Sequence, residues 1–551
     1  MSNCRKSRWG LRVLVRLVLA ATAWLVLTSV CSASATNIYI AQRAAGAANG
    51  ADCADAYAYT FFNTTGDWGT GAAQIGPGTT VHLCGTFSLS AGASLLTAQG
   101  SGTSGSPVTI LFEAGVVIKA PYLSSTGAIV LDGQSYITVD GGSNGSIENT
   151  LNGSPGATCL GGTCSYQQAS VAISAHPCSN CEIKNLTIQD LYIHTQCDAP
   201  SGCDTTIGDS AVNAVYFGGS NLLIHNNTMH DASWVLSQNS SSGDTNDQIY
   251  DNDIYNMDDG VACGSATGTI SSEFIYNNHF HDMANWDTGT ADAYHHDGIH
   301  CFSAGGTAKI QNLYIYNNLF DGNEGNCCVT AWIFLEGTSS GSTPWTDSTG
   351  TAYLWNNVVI GSIDVPNSNV WINMGTGHEF FNNTIIVASP HGGGCLGFGS
   401  GATNIVVENN AVEGCNAVIN GSGATSYTTI DYDNYANANG GSPIWQFAAV
   451  SANTLSAWQT SCGCDLHSLA NLSGTLALSS EGVPQSGYTG IGAGANLTSY
   501  CSGNLASLCS DTSVGDSRTP AARPSSGAWD IGAYQFGYHP LPPSAVSAIL
   551  H

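Results

Sequence analysis

Short stretches of alternating apolar and polar residues recur along the chain, and several of them end in Asn-Asn. Two clear copies are Leu-Leu-Ile-His-Asn-Asn at 222–227 and Phe-Ile-Tyr-Asn-Asn at 274–278. Further copies end at 317–318, 356–357, 382–383 and 409–410, and degenerate copies lie at 251–252 and 433–434. The basic spacing is about 26 residues, and two intervals are longer by about 14. Alternation with a period of two over such short runs indicates β-strands.

Each repeat unit holds only short strands, which cannot bury an apolar face alone, so neighbouring units must stack. Asn tolerates the left-handed conformation of a tight bend, and equivalent Asn side chains of stacked units can hydrogen-bond in a ladder. A coil of about 26 residues with two or three strands predicts an all-β fold, a single right-handed parallel β-helix with loop insertions. We predict that the pairs from Asn226 to Asn410 form one ladder along its axis.

The chain divides into four predicted parts. Basic residues, an apolar run and Ala33-Ser34-Ala35 identify 1–35 as a secretory signal peptide. We expect 36–130 to form an N-terminal cap and the first coils. The repeats with the candidate site are expected over 131–440, and C-terminal coils with a closing segment over 441–551. The protein is therefore expected to be secreted, either extracellular or periplasmic.

Charge narrows the range of partners. Lys and Arg number 11 against 39 Asp and Glu, and five of the basic residues lie within the first 16 positions. A body this acidic repels nucleic acid and anionic membranes, so we expect neither as a partner after signal cleavage. We expect the protein to be a monomer whose partner is an extracellular polysaccharide.

Cysteine usage agrees with export. All but Cys4 and Cys31 of the 20 cysteines lie beyond the predicted signal peptide, and an even number in an exported chain favours disulfides. Several cysteines form close pairs in the sequence, namely 159/164, 178/181, 197/203 and 501/509. Cys263 and Cys301 end equivalent strands of successive predicted coils, so we predict a bridge between them.

The chain beyond residue 35 resembles the secreted right-handed parallel β-helix repeat proteins of the pectate-lyase-like superfamily. The resemblance rests on the repeats, on an opening strand and coil at 37–41 and 78–83, and on a closing segment at 528–534. It implies the fold, but it leaves the function open, because the family includes lyases, hydrolases, epimerases and adhesins.

Histidine and aspartate concentrate between His225 and His300, which span seven of the 15 histidines. Two segments there are similar, Met-Asp-Asp-Gly-Val-Ala-Cys at 257–263 and His-His-Asp-Gly-Ile-His-Cys at 295–301. In adjacent coils, equivalent residues lie about one strand spacing, ~4.8 Å, apart. Carboxyl pairs suit glycoside hydrolysis, at ~5 Å for retention or ~6.5–9.5 Å for inversion. The predicted catalytic residues are Asp258, Asp259, Asp297, His296 and His300.

Asp258 and Asp259 resemble the double aspartate of polygalacturonase-type β-helix hydrolases, and Asp297 resembles their single aspartate. The order along this chain is reversed, and the sequence has neither a Gly-His-Gly nor an Arg-x-Lys element. These departures count against a polygalacturonate substrate more than against hydrolysis, so the leading expectation is a glycoside hydrolase that acts on a neutral glycan or on an anionic one bridged by Ca²⁺. Aromatic rings can stack on sugar faces, and the residues expected to bind substrate are Trp286, Tyr294, His281, Trp332 and Lys309.

A polysaccharide lyase or epimerase on the same surface is the alternative. β-Elimination from a uronate needs its carboxylate neutralised, a base at C5 and an acid for the leaving oxygen. Because Lys and Arg are scarce, Tyr294, His296 and His300 could serve in these roles. Ca²⁺ on Asp287, Asp292 or Asp297 could supply the positive charge, whereas hydrolysis requires no cofactor. A non-catalytic glycan-binding or adhesion solenoid is a third hypothesis. Clustering of His and Asp around one insertion favours an enzyme.

Overall fold

The structure is a computed structural model of the chain. It describes residues 36–152, 168–192, 212–239, 243–264, 268–283, 296–302, 309–325, 329–336, 350–361, 368–421, 423–424, 426–436, 443–512 and 519–537, and every structural statement below concerns these ranges.

The N-terminal strands are β1 (Thr36–Ala41), β2 (Tyr57–Ala58), β3 (Thr79–Cys84), β4 (Thr86–Ser88), β5 (Leu96–Thr97), β6 (Val108–Phe112), β7 (Val117–Ala120), β8 (Ile129–Val130), β9 (Gln134–Ser135), β10 (Ile137–Asn149), β11 (Ser170–Ala175), β12 (Cys178–Ser179) and β13 (Glu182–Gln189). The central strands are β14 (Val212–Phe217), β15 (Leu223–His225), β16 (Thr228–Asn239), β17 (Asp244–Thr245), β18 (Gln248–Tyr250), β19 (Asp253–Gly264), β20 (Thr269–Tyr276), β21 (His279–His281), β22 (His296–Phe302), β23 (Lys309–Tyr316), β24 (Leu319–Asp321) and β25 (Val329–Leu335).

The later strands are β26 (Ala352–Trp355), β27 (Val358–Gly361), β28 (Ser368–Thr376), β29 (Glu379–Phe381), β30 (Thr384–Thr403), β31 (Ile405–Glu408), β32 (Ala411–Gly421), β33 (Tyr427–Asp431), β34 (Asn434–Ala436), β35 (Trp445–Phe447), β36 (Val450–Ala452) and β37 (Leu469–Asn471). One α-helix, α1, spans Leu455–Cys462 among the described residues, and short 3-10 turns lie at Cys53–Asp55, Tyr59–Phe61, Thr65–Asp67, Thr498–Tyr500 and Gly503–Cys509.

Successive coils pair in parallel and in register, which makes the protein a parallel β-helix. On one face, Ile224 pairs with Ile249, Ile249 with Ile275, and Ile275 with Ile315. These side chains are buried and belong to one apolar core that fills the coils. The alternating pattern therefore places one apolar side chain per coil at each interior position, and the predicted fold class is confirmed.

The two residues of each Asn-Asn pair have different roles. The first takes the left-handed bend, with φ of 54° at Asn226, 56° at Asn277 and 54° at Asn317. The second points inward, and Asn278 Nδ2 donates to Asn318 Oδ1 over 3.1 Å. The inward ladder runs through residues 227, 252, 278, 318, 357, 383 and 410 and ends on Asp433. The predicted ladder is confirmed.

The C-terminal segment folds back along the outside of the coils. There it binds the first Asn of three pairs. Asn356 Nδ2 donates to Ser510 O and Asn409 Nδ2 donates to Ala495 O, each over 2.9 Å, and Asn382 Nδ2 donates to Asp530 O over 3.2 Å. The buried Arg523 guanidinium donates to Asn356 Oδ1 over 2.9 Å. The closing segment recognised in the sequence thus joins several coils that lie far from it along the chain.

The predicted bridge between Cys263 and Cys301 is present, between two residues that pair in register on adjacent coils. The described residues hold five further disulfides, 53–84, 178–181, 395–415, 462–464 and 501–509. The cysteines that lie close together in the sequence at 159/164 and 197/203 are outside the described residues. Within the described part of the chain, no helix is long and apolar enough to cross a membrane.

One buried carboxyl makes stability depend on pH. Burial, helped by the charges of Asp431 and Glu379, raises the pKa of Glu408 from 4.5 to about 7. The unfolded chain loses this proton at lower pH than the native protein does, so stability should fall as pH rises from about 4.5 to about 7. We expect Glu408→Gln to stabilise the protein at pH above 7 by about 1–2 kcal/mol, after allowance for solvent screening.

Denaturant unfolding of both proteins at acidic and at mildly alkaline pH measures this effect. Glu481→Gln, which removes an exposed carboxylate, is the control and should leave the pH dependence unchanged. An identical pH dependence in wild-type and Glu408→Gln proteins would contradict the assignment.

Candidate active site

The two similar Asp-Gly segments lie on adjacent coils, as predicted. Asp259 of β19 pairs in register with Asp297 of β22. Gly260 and Gly298 face the core, where an added Cβ would lie 2.7 Å and 2.9 Å from the rings of Phe280 and Phe320. Glycine is therefore required after each aspartate, because the next residue approaches the core too closely for a side chain.

Two carboxylates and one imidazole converge beside these glycines. His300 Nδ1 lies 3.7 Å from Asp259 Oδ2 and 3.8 Å from Asp297 Oδ2. Its Nε2 lies 3.4 Å from Glu336 Oε2. Asp297 Oδ1 also accepts a hydrogen bond of 2.9 Å from the backbone N–H of Ala331. One nitrogen or oxygen from each of Asp259, Asp297 and His300 lies within 4.8 Å of the others, so these three could hold a metal ion.

The electrostatic balance of this group keeps His300 protonated. Burial alone would lower its pKa, but the neighbouring carboxylates of Asp259, Glu336 and Asp297 outweigh burial and raise the pKa to about 10. The imidazolium thus supplies the positive charge that two buried carboxylates need.

The other two predicted catalytic residues form a second pair on the same two strands. His296 Nδ1 lies 2.8 Å from Asp258 Oδ1, and both side chains are buried. A carboxylate that accepts the Nδ1–H fixes the tautomer and the ring orientation, so Asp258 positions the imidazole of His296. The structure thus brings all five predicted catalytic residues onto adjacent positions of two coils.

The structure does not bring to this site the described residues that were predicted to bind substrate. Trp332 does not qualify, because it is fully buried and its ring packs against Phe320 in the core. Trp332 lies at the position equivalent to Gly298 on the neighbouring coil, and this position faces the core in both coils. His281 lies on β21, in a separate cluster. Residues Trp286, Tyr294, Asp287 and Asp292, and the side chain of Lys309, lie outside the described residues.

Three site residues were missed in the sequence. The ring of Phe334 stacks on His300 at 4.9 Å, and the ring of Phe302 is tilted against it at 4.7 Å. Glu336 is the third. An alignment of 329–336 with 296–302 would have found all three. It pairs His300 with Phe334 and Cys301 with Leu335, and so places Phe302 beside Glu336. Trp234, which pairs in register with Asp259, adds another ring against Phe302.

The sequence matches no known protein-family model and no curated protein. Among solved structures, pectate lyase Pel9A is similar at 14% identity over 91% of this chain and 96% of its own, with a TM-score of 0.39. Pectate lyase C from Erwinia chrysanthemi, solved with Ca²⁺, is similar at 13% identity over 59% of this chain and 76% of its own, with a TM-score of 0.31.

A rhamnogalacturonan lyase is similar at 11% identity over 69% of this chain and 82% of its own, with a TM-score of 0.39. These identities and TM-scores are low, so the function of this chain has to be argued from its own side chains.

Proposed function

We propose that the protein is a secreted polysaccharide lyase that cleaves a uronate-containing glycan by β-elimination at Asp258, Asp259, His296, Asp297 and His300. The observation that carries the proposal is the convergence of Asp259, Asp297 and His300 within 4.8 Å. Perturbed titratable groups clustered at one place are typical of active sites. The six disulfides of the described residues fit an oxidising compartment outside the cytoplasm.

The spacing argues against an inverting hydrolase, and the contacts of His300 with both carboxylates argue against a retaining one. An inverting glycosidase holds its carboxyl groups about 6.5–9.5 Å apart to admit a water molecule. Carboxylate oxygens of Asp259 and Asp297 lie within 4.8 Å of each other and of His300. The two carboxylates are also engaged by the imidazolium, which leaves neither as a protonated acid for a leaving group.

The donor set fits a divalent cation at Asp259 and Asp297. Carboxylate oxygens are the ligands that Ca²⁺ prefers, and the buried Asp259 Oδ1 has no hydrogen-bond partner among the described residues. When bound, such a cation would neutralise the substrate carboxylate and so make the C5 proton more acidic. Glu336 lies close enough to His300 to keep the imidazole oriented.

The proton transfers fall to the two histidines. His296, oriented by Asp258, is the base that takes the C5 proton. The C4–O bond then breaks, a C4–C5 double bond forms, and the leaving oxygen takes a proton from the His300 imidazolium. The rings of Trp234 and Phe302 offer apolar surface for sugar CH groups beside these residues.

A panel of neutral and uronate-containing polysaccharides, incubated with the secreted protein with and without Ca²⁺, tests the proposal. We expect new reducing ends together with the ultraviolet absorbance of unsaturated uronate. Reducing ends without that absorbance would identify a hydrolase and refute the lyase. Binding without cleavage of any glycan would favour the non-catalytic solenoid.

A further inference from the structure

A second cluster of metal-ligand residues lies on a different face of the coils. His279 and His281 are the ends of β21, and Asp253 begins the neighbouring strand β19. Asp253 Oδ1 lies 3.3 Å from His279 Nδ1 and 3.2 Å from His281 Nε2. Asp253 pairs in register with His279, so the backbone of two adjacent coils fixes this approach.

The spacing of these atoms matches a metal site. Bonds of about 2.0–2.1 Å from Zn²⁺ to nitrogen or oxygen, arranged tetrahedrally, place neighbouring ligand atoms about 3.3 Å apart. Two of the three ligand distances in the cluster already have this value. One ligand atom from each of Asp253, His279 and His281 lies within 4.8 Å of the other two.

Each imidazole is also held by a second carboxylate through its remote nitrogen. His279 Nε2 lies 2.7 Å from Asp321 Oδ1, and His281 Nδ1 lies 2.7 Å from Asp282 Oδ2. Histidines that bind metals usually donate their other N–H to a carboxylate, which fixes the tautomer and the ring orientation. This arrangement occurs twice in the cluster, and in both cases the nitrogen directed at Asp253 is the one left to bind a metal.

Packing further restricts the rings without closing the site. The ring of His281 stacks between Tyr255 at 4.7 Å and His279 at 4.2 Å. The side chains stay accessible, with 44% of Asp253, 39% of His279 and 20% of His281 exposed to solvent. An ion could therefore enter without any movement of the backbone.

We propose that Asp253, His279 and His281 bind a divalent transition-metal ion of the Zn²⁺ type, with a fourth position open to solvent. Two imidazole nitrogens and one carboxylate oxygen suit Zn²⁺ and exclude Ca²⁺, which prefers an all-oxygen shell. This site is independent of the lyase proposal, because it shares no residue with the group around His300. Asp321 and Asp282 are positioning residues that hold the two rings.

The full secreted protein, stripped of metal by a chelator and dialysed, tests the proposal. Zn²⁺ binding is measured by isothermal titration calorimetry and by metal analysis after gel filtration, and Co²⁺ serves as a spectroscopic probe of imidazole ligation. We expect His279→Gln and His281→Gln each to lose one equivalent of Zn²⁺ and the matching Co²⁺ absorption. Asp321→Asn should retain the site with affinity lowered about 10–100-fold.

His225→Gln is the matched control. His225 also stacks on a tyrosine, at 4.6 Å from Tyr250, and contacts one carboxylate, at 3.0 Å from Glu182. No second imidazole joins it among the described residues, so this variant should bind as much Zn²⁺ as the wild type. Equal Zn²⁺ binding by wild-type and His279→Gln proteins, with both folded by circular dichroism, would overturn the proposal. Failure of the wild type to retain any Zn²⁺ at micromolar concentration would overturn it as well.

Discussion

Asp297→Asn should lower the turnover of a cleaved glycan by about 10³-fold while leaving the fold intact. An asparagine keeps an oxygen for the N–H of Ala331, which Asp297 Oδ1 accepts over 2.9 Å. The substitution removes the negative charge that helps to hold His300 as an imidazolium and that would bind a cation. The loss is therefore one of charge and proton transfer, and packing is preserved. Initial rates, followed by the absorbance of unsaturated uronate, measure the loss of turnover. Thermal unfolding of the same variant measures whether the fold is intact.

Asp259→Asn should behave in the same way, because Asp259 occupies the equivalent position one coil away. Glu481→Gln is the control, since it removes one exposed carboxylate in the C-terminal region. Full activity of the Asp297→Asn protein would end the proposal for this site. A variant that loses activity only together with its unfolding transition would instead assign Asp297 a structural role.

The fold could be predicted because each coil repeats the same physical requirement. An interior position must be apolar in every coil, and a bend must be left-handed in every coil, so the pattern recurs at the coil length. Asn277 and Asn278 illustrate the limit of this reasoning. The sequence identifies the pair, but only the structure shows that the first asparagine forms the bend and the second forms the ladder.

The sequence predicts those parts of the candidate site that depend only on the register between adjacent coils. Asp259 and Asp297 were predicted together because equivalent residues of adjacent coils must be neighbours. Trp332 was assigned wrongly because it occupies the position equivalent to Gly298 in the next coil, which faces the core, and the period of two does not reveal this. The cluster around His279 was missed because its members belong to three coils, and Asp321 follows an insertion that obscures the register.

Asn318→Ala should destabilise the protein more than any single outward-facing substitution. Asn318 is fully buried and accepts hydrogen bonds from both the N–H and the Nδ2 of Asn278. It also donates to Ile275 O over 2.9 Å and to Asn357 Oδ1 over 3.0 Å. Alanine would leave donors and acceptors on two neighbouring coils buried without partners. At about 1–3 kcal/mol for each such group, the loss should reach about 4 kcal/mol or more.

Denaturant unfolding measures the loss, and two variants separate the ladder from other effects of asparagine. Asn246→Ala removes an exposed left-handed asparagine with φ of 62°, so it should cost only about 1 kcal/mol. Asn318→Asp keeps the acceptor but loses the donor, as Asp433 does at the end of the ladder, where it accepts from Asn410. Burial raises the pKa of Asp433, and an aspartate at 318 should likewise be tolerated better at acidic than at neutral pH. Equal stabilities of the Asn318→Ala and Asn246→Ala proteins would show that the ladder contributes little beyond the bends.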